Sequence, residues 1–278
     1  MKRIVTAIGL LALALPAFAQ RVIDKDGRAL QLFPHKDHPM FQAGPQAGGS
    51  NLINHGGPII VNAKVVSIFW GSAWGSNSAP SALAQTITGF FAQFGGTSEY
   101  NTIHQYGVGF PSSLTNQYWV VSTNPPHIAV TDADIQGQVI AYINGHGFDN
   151  TTIYEVFLPN GYYSTSGGAS SCGGPNLQYC AYHGNFGYNG HDVKYSSMPY
   201  PSCGGCQWTG WTTAQNFEHF GTHETREAAT DPDLNAWYDH RGFEADDKCA
   251  WSPAPFLDGP WGYQWEWSNA DRGCVKTK

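Results

Sequence analysis

The sequence predicts a single zincin-like α/β domain over residues 51–278, with a mixed sheet, a central metal-site helix and a loop-rich, disulfide-stapled C-terminal half. Three observations predict it. Between Pro58 and Leu158, apolar runs of strand length alternate with helix-periodic segments. The pattern His223-Glu224-x-x-Glu227 lies in a stretch of helix formers. Beyond Leu158 the composition shifts to Gly, Ser and Tyr, and all six cysteines follow. At 278 residues the chain is long enough to bury one large core.

The chain opens with a targeting pattern. Lys2 and Arg3 precede an apolar run from Ile4 to Leu15, and Ala17-Phe18-Ala19 has the small-x-small form of a signal-peptidase site. Residues 1–19 therefore read as a signal peptide with Gln20 as the first mature residue. The apolar run is too short to span a bilayer, so the expectation is a secreted or periplasmic protein with no stable membrane insertion after cleavage. Without Lys2 and Arg3 the count is 12 basic against 21 acidic residues, a formal charge of −9. That excess argues against nucleic acid as a partner, because no basic stripe is available for phosphates. Residues 20–50 are polar, rich in Gly, Pro and His and without periodicity, and read as a flexible leader or pro-segment. His35, His38 and His55 are taken as solvated.

Ile59-Ile60-Val61 and Val65 to Trp70 read as one or two buried strands, broken by Gly71 and Gly75. Leu83, Ile87, Phe90, Phe91 and Phe94 recur at helical spacing up to Gly95-Gly96, which ends the helix. Tyr118 to Val121 is a further strand. Thr131 caps a helix carrying Ile135, Val139, Ile140 and Ile143, and Ile153 to Leu158 is a strand again.

The central helix starts at a Thr212 or Thr213 cap and stops near Thr230, because Pro232 pushes the residue before it out of the helical region. Residues four apart share a helix face, so His223 and Glu227 can present an imidazole nitrogen and a carboxylate to one ion while Glu224 sits beside them. This is the arrangement of a zinc hydrolase, with a carboxylate in place of the second histidine of His-Glu-x-x-His. The alternative is a solvated helix face. His219 and Asp231 extend the same four-residue stripe, and the acidic return segment Glu244-Ala245-Asp246-Asp247 can supply the third ligand.

Six cysteines in a chain bound for an oxidising compartment imply three disulfides, with 15 connectivities open. Pairing Cys249 with Cys274 would tie the return segment to the C-terminus, leaving Cys172, Cys180, Cys203 and Cys206 to staple the middle loops. Cys203-Gly-Gly-Cys206 also has the spacing of half a structural zinc site or of a redox pair. Aromatics make up 14% of the chain, which fits either a large core or a carbohydrate-facing surface. The reading adopted is mostly core, with Trp265 and Trp267 on one face of a final strand.

Taken together, these segments resemble the phosphate-induced protein 1 family, named for the plant EXORDIUM proteins, over roughly residues 55 to 274. The motifs are His55-Gly56-Gly57-Pro58, Phe69-Trp70-Gly71, Cys180-Ala181-Tyr182-His183-Gly184, Cys203 to Trp208, His223-Glu224 to Asp231-Pro232, Asn235 to Tyr238, Glu244 to Asp247 with Cys249, and Trp265 to Trp267 with Cys274. The resemblance implies an extracellular or cell-wall protein with no settled biochemical activity. Some plant relatives lack the His-Glu pair, so membership alone does not imply catalysis, and His219 matches no family position.

The resulting expectation is a zinc-dependent metallopeptidase or amide hydrolase acting on a peptide or cell-wall polymer. Its metal ligands are His223, Glu227 and Glu244, with Asp247 or Asp231 as alternates. Glu224 is the general base, and Tyr238, His240 and His183 are candidate oxyanion donors. A weak Ca2+ site is the second metal reading, because Asp231, Asp233, Asn235 and Asp239 follow EF-hand spacing although Ala236 and Gly242 break the loop. The competing class is a non-catalytic wall-associated or glycan-binding protein with a structural or absent metal.

Overall fold

Side chains alternate along each strand of a seven-stranded sheet, so each face receives its own set and supports its own core. The computed structural model describes residues 21–23, 27–39, 49–109 and 114–278. The expected signal peptide lies outside them. Across the sheet the order is β1 (Arg21–Ile23), β2 (Ala29–Pro34), β6 (Tyr179–Tyr188), β7 (His191–Met198), β5 (Thr152–Phe157), β3 (Lys64–Trp70) and β4 (Thr115–Val121). Neighbours from β1 to β7 run antiparallel and those from β7 to β4 run parallel, which makes the sheet mixed.

Helices cover both faces, as a partly parallel sheet requires. Helix α1 (Ala82–Phe94) and helix α3 (Thr213–Thr230) pack on the face that buries Val65, Phe69, Ile153, Phe157 and Met198. Helix α2 (Asp132–His146) packs on the other, over Val66, Ile68, Tyr154, Val156 and Tyr195. The start signals act as the sequence predicts. Thr131 and Thr212 each accept a hydrogen bond from the amide three residues on, and the side chains of Asp134 and Gln215 close reciprocal capping boxes. Gly95 ends α1.

Three segments differ from expectation. Residues 20–50 are not all a flexible leader, because Ala29–Pro34 is an interior strand whose last five residues are buried. Its Leu30-Gln31-Leu32-Phe33 alternation is too short to stand out in a polar stretch. Ile59–Val61 forms no strand; the Ile60 amide instead donates to the Ala229 carbonyl at 2.8 Å and satisfies the end of α3. The half beyond Leu158 contains the longest strands, β6 and β7, joined at Asn189-Gly190 with φ of 49° and 78°. Two consecutive left-handed residues make the two-residue turn that Asn-Gly favours, and that dipeptide was the available signal.

The remainder of this half is loop-rich and stapled by Cys172–Cys203, Cys180–Cys206 and Cys249–Cys274. The two cysteines of Cys203-Gly-Gly-Cys206 therefore take separate partners. Trp267 is buried on the short strand Glu266–Ser268, while Trp265 precedes that strand, half-buried against Phe256 and the Lys276 ammonium.

Close packing of α1 on α3 yields a test. A Cβ on Gly221 would sit 2.6 Å from Phe91 Cζ. Gly221→Ala gains about 1 kcal/mol of helix propensity, but overpacking against a buried ring loses about 1–3 kcal/mol. The variant should be no more stable than the parent in urea titration and should be less stable if Phe91 cannot shift. A clear gain would mean that the helices are not in contact there.

Candidate metal centre

Helix α3 is polar in composition, yet every residue from Asn216 to Thr230 is buried. A helix hidden on all sides is ordinarily apolar, so its polar groups must find partners inside the protein. Arg226 does so through both of its terminal guanidinium nitrogens. Its guanidinium pairs with Asp246 and with Glu266, and donates to the carbonyls of Glu99 at 3.0 Å and Gln264 at 3.2 Å.

The groups around Glu227 do not. His183 on β6 shares a face with Ala181 and points toward α3. Its Nδ1 lies 3.1 Å from Glu224 Oε2 and 3.7 Å from Glu227 Oε2, and its Nε2 lies 3.7 Å from Glu244 Oε2. On the other side of Glu227, His223 Nε2 lies 3.1 Å from Glu227 Oε2 and 3.7 Å from Asp247 Oδ1. Glu227 thus belongs to two groupings, His183-Glu227-Glu244 and His223-Glu224-Glu227, in each of which one donor atom per residue lies within 4.8 Å of the others. His183 Nε2, His223 Nε2, Glu224 Oε1, Glu227 Oε2 and both Glu244 carboxylate oxygens are buried without a hydrogen-bond partner.

Surrounding bonds fix the orientation. Gln264 Oε1 accepts from His223 Nδ1 at 3.2 Å and from His219 Nε2 at 3.0 Å, and the same amide donates to the Asp246 carbonyl at 2.8 Å. With Nδ1 donating, His223 Nε2 is left as a lone pair facing Glu227, a tautomer assigned from the hydrogen-bond network. The Asp247 amide donates to Glu227 Oε1 at 2.9 Å.

Burial drives the electrostatics. It lowers the His183 pKa to about 3 and the His223 pKa to about 4, so both imidazoles are neutral. Burial, then mutual repulsion, pushes Glu224, Glu244 and Asp247 well above the usual carboxylate range, and burial does the same to Glu227. The cluster must therefore hold protons or a cation.

The donor set fits a divalent ion. Zinc with bonds of about 2.0–2.2 Å in a tetrahedron holds its ligand atoms roughly 3.3–3.6 Å apart. His223 Nε2 and Glu227 Oε2, 3.1 Å apart, and His183 Nε2 and Glu244 Oε2, 3.7 Å apart, lie close to that separation, whereas His183 meets Glu227 through its other ring nitrogen at 3.7 Å.

The structure thus brings His223, Glu224 and Glu227 into one grouping, with Asp247 3.7 Å from His223, and places Glu244 in the other beside Glu227 and His183, a residue expected only as an oxyanion donor. Of the other candidates, Asp231 borders the cluster next to Glu244, and the rest lie elsewhere. Asp231 accepts from the amides of Asn235 and Ala236 and holds the turn after α3. Tyr238 stacks on His55, with ring centroids 3.7 Å apart. His240 is exposed and pairs with Ser50. His219 packs edge-on against Trp251. The EF-hand-like oxygens diverge, because Asp233 pairs with Lys194 and Asp239 with Lys248. No protein-family model, curated protein or solved structure matches this chain.

Beneath α3, the Glu155 carboxyl on β5 accepts from the Thr225 hydroxyl at 2.5 Å, and burial raises its pKa from 4.5 to about 8. The folded state thus holds a proton that the unfolded chain releases. The associated stability is complete below pH 4.5 and is lost as pH rises toward 8. Glu155→Gln should lose less stability than the parent between pH 5 and pH 8 in paired urea titrations, estimated over roughly that window; an identical loss would show that Glu155 ionises freely.

Proposed function

We propose that this chain is a secreted zinc-dependent amide hydrolase, most simply a metallopeptidase of zincin-like architecture. The observation that carries the reading is the convergence on Glu227 of buried imidazole and carboxylate atoms that have no hydrogen-bond partner. Glu227 is the central ligand, with His223 on one side and His183 and Glu244 on the other. Bound zinc would supply a water whose pKa approaches neutrality and a Lewis acid for a carbonyl. Glu224 takes the proton of the attacking water and passes it to the leaving amine, a role suited by a carboxyl whose pKa lies well above the usual range. Gln264 keeps His223 in its ligating tautomer.

The likeness to the phosphate-induced protein 1 family supports an extracellular, cell-wall setting, and three disulfides suit an oxidising compartment. No helix among the described residues is long and apolar enough to cross a membrane. A second reading, a non-catalytic wall or glycan-binding protein in which the ion is structural, is favoured by the complete burial of the ligand groups.

Elemental analysis of purified protein, followed by a casein or peptidoglycan-peptide digest with and without chelator, separates the two. Glu224→Gln should retain zinc and lose about 10²–10⁴-fold in turnover, whereas Glu227→Gln should lose the zinc. Full activity in the first variant removes Glu224 from the mechanism. Protein free of any divalent metal, with chelator-resistant digestion, defeats the reading.

A further inference from the structure

The centre is closed, since His183, His223, Glu224, Glu227 and Glu244 have no exposed surface. Strand β2 contributes directly to that closure. Gln31 stands opposite His183 in the β2–β6 register. Its side-chain amide donates to Asp247 Oδ2 at 2.6 Å, and its oxygen accepts from Arg21 Nε at 3.3 Å. Phe33, opposite Ala181, stacks on His223 with ring centroids 4.1 Å apart. Arg21 on β1 brings its guanidinium to 3.5 Å from Asp231 and 4.0 Å from Glu244.

We propose that strand β2, Ala29–Pro34, is a resident pseudo-substrate. It occupies the edge of β6 at which an extended peptide substrate pairs antiparallel, and it must leave that edge for the centre to act. This rests on the hydrolase reading above and narrows its substrate to extended polypeptide. A strand edge presents a row of unpaired amides and carbonyls, and an added strand is held by main-chain bonds while alternate side chains enter pockets. β2 has that pattern. Leu30 and Leu32 enter the core under α2, while Gln31 and Phe33 face the centre. With β2 gone, β6 becomes the edge, with His183 on its inner face. The Gln31 bond to Asp247 shows a carboxamide already accommodated beside the ligand groups.

Two full-length variants test this. Gln31→Glu sets a carboxylate against Asp247, and Leu32→Asp unseats β2 from the opposite face without touching the centre. After chelator treatment, diethyl pyrocarbonate should modify exposed His240 in the parent while His183 and His223 stay protected. Both variants should acylate His183 and His223, and in the zinc-loaded state cleave casein, at least about tenfold faster, since rate scales with the open fraction. A synthetic peptide spanning Arg28 to His35 should slow the variants back toward the parent rate. Faster acylation with zinc bound and cleavage unchanged overturns the proposal alone, whereas zinc absent from all three chains overturns the hydrolase reading and the proposal with it. Should circular dichroism show both variants unfolded, hydrogen exchange on the parent decides. The β2 amides should exchange faster than those of β7, at the rate of His183 acylation, and equal exchange of β2 and β7 overturns the proposal.

Discussion

Buried negative charge is the constraint to which the rest of this structure answers. Leaving a carboxylate unpaired away from water costs several kcal/mol, so such groups pair, protonate or bind an ion. Helix α3 displays two of those outcomes on opposite sides. Around Arg226, Asp246 and Glu266 are matched to a guanidinium that also satisfies two backbone carbonyls. Around Glu227, four carboxyl groups and two neutral imidazoles meet, and among the described residues only Arg21 brings a cation within ion-pair reach of that group, 4.0 Å from Glu244. The contrast within one helix distinguishes a structural salt-bridge network from a set of lone pairs that remain to be used.

The fold brings distant segments to this point by few but rigid connections. Antiparallel pairing of β6 with β7 fixes His183 against the sheet, and Cys180–Cys206 anchors the start of that strand to the loop before α3. The return segment is held three ways: the Asp247 amide bonds to Glu227, the Ala245 carbonyl accepts from the Trp267 amide, and Cys249 is tied to Cys274. These connections surround His183, Glu227 and Glu244 and hold their geometry, as outer hydrogen bonds do for side chains in metal sites.

Much of this was legible in the residues. Periodicity and caps located α1, α2, α3, β3 and β5, because their apolar spacing and Thr caps act locally. His223, Glu224 and Glu227 were readable because helical spacing alone puts them together. Glu244 and Asp247 required only that an acidic segment fold back. His183 as a member of the cluster was not readable, since its position depends on pairing with strands far away in sequence. The strand containing Gln31 was missed for the same reason, its stability coming from β6 rather than from its own composition. The EF-hand-like spacing misled because Asp231 is engaged by backbone amides and Asp233 by Lys194, contacts invisible to a pattern of acids.

The pairing of Leu32 with Tyr182 joins positions about 150 residues apart, the kind of non-local contact that forms late. A chain made from its N-terminus must hold that strand unpaired until β6 exists, whereas β3 and β5 are already available for the body of the sheet. On the proposed metal reading, ion loading then belongs to biogenesis, in the interval before strand β2 docks. On the same reading, a finished molecule stripped of an ion has to reopen that joint in order to refill.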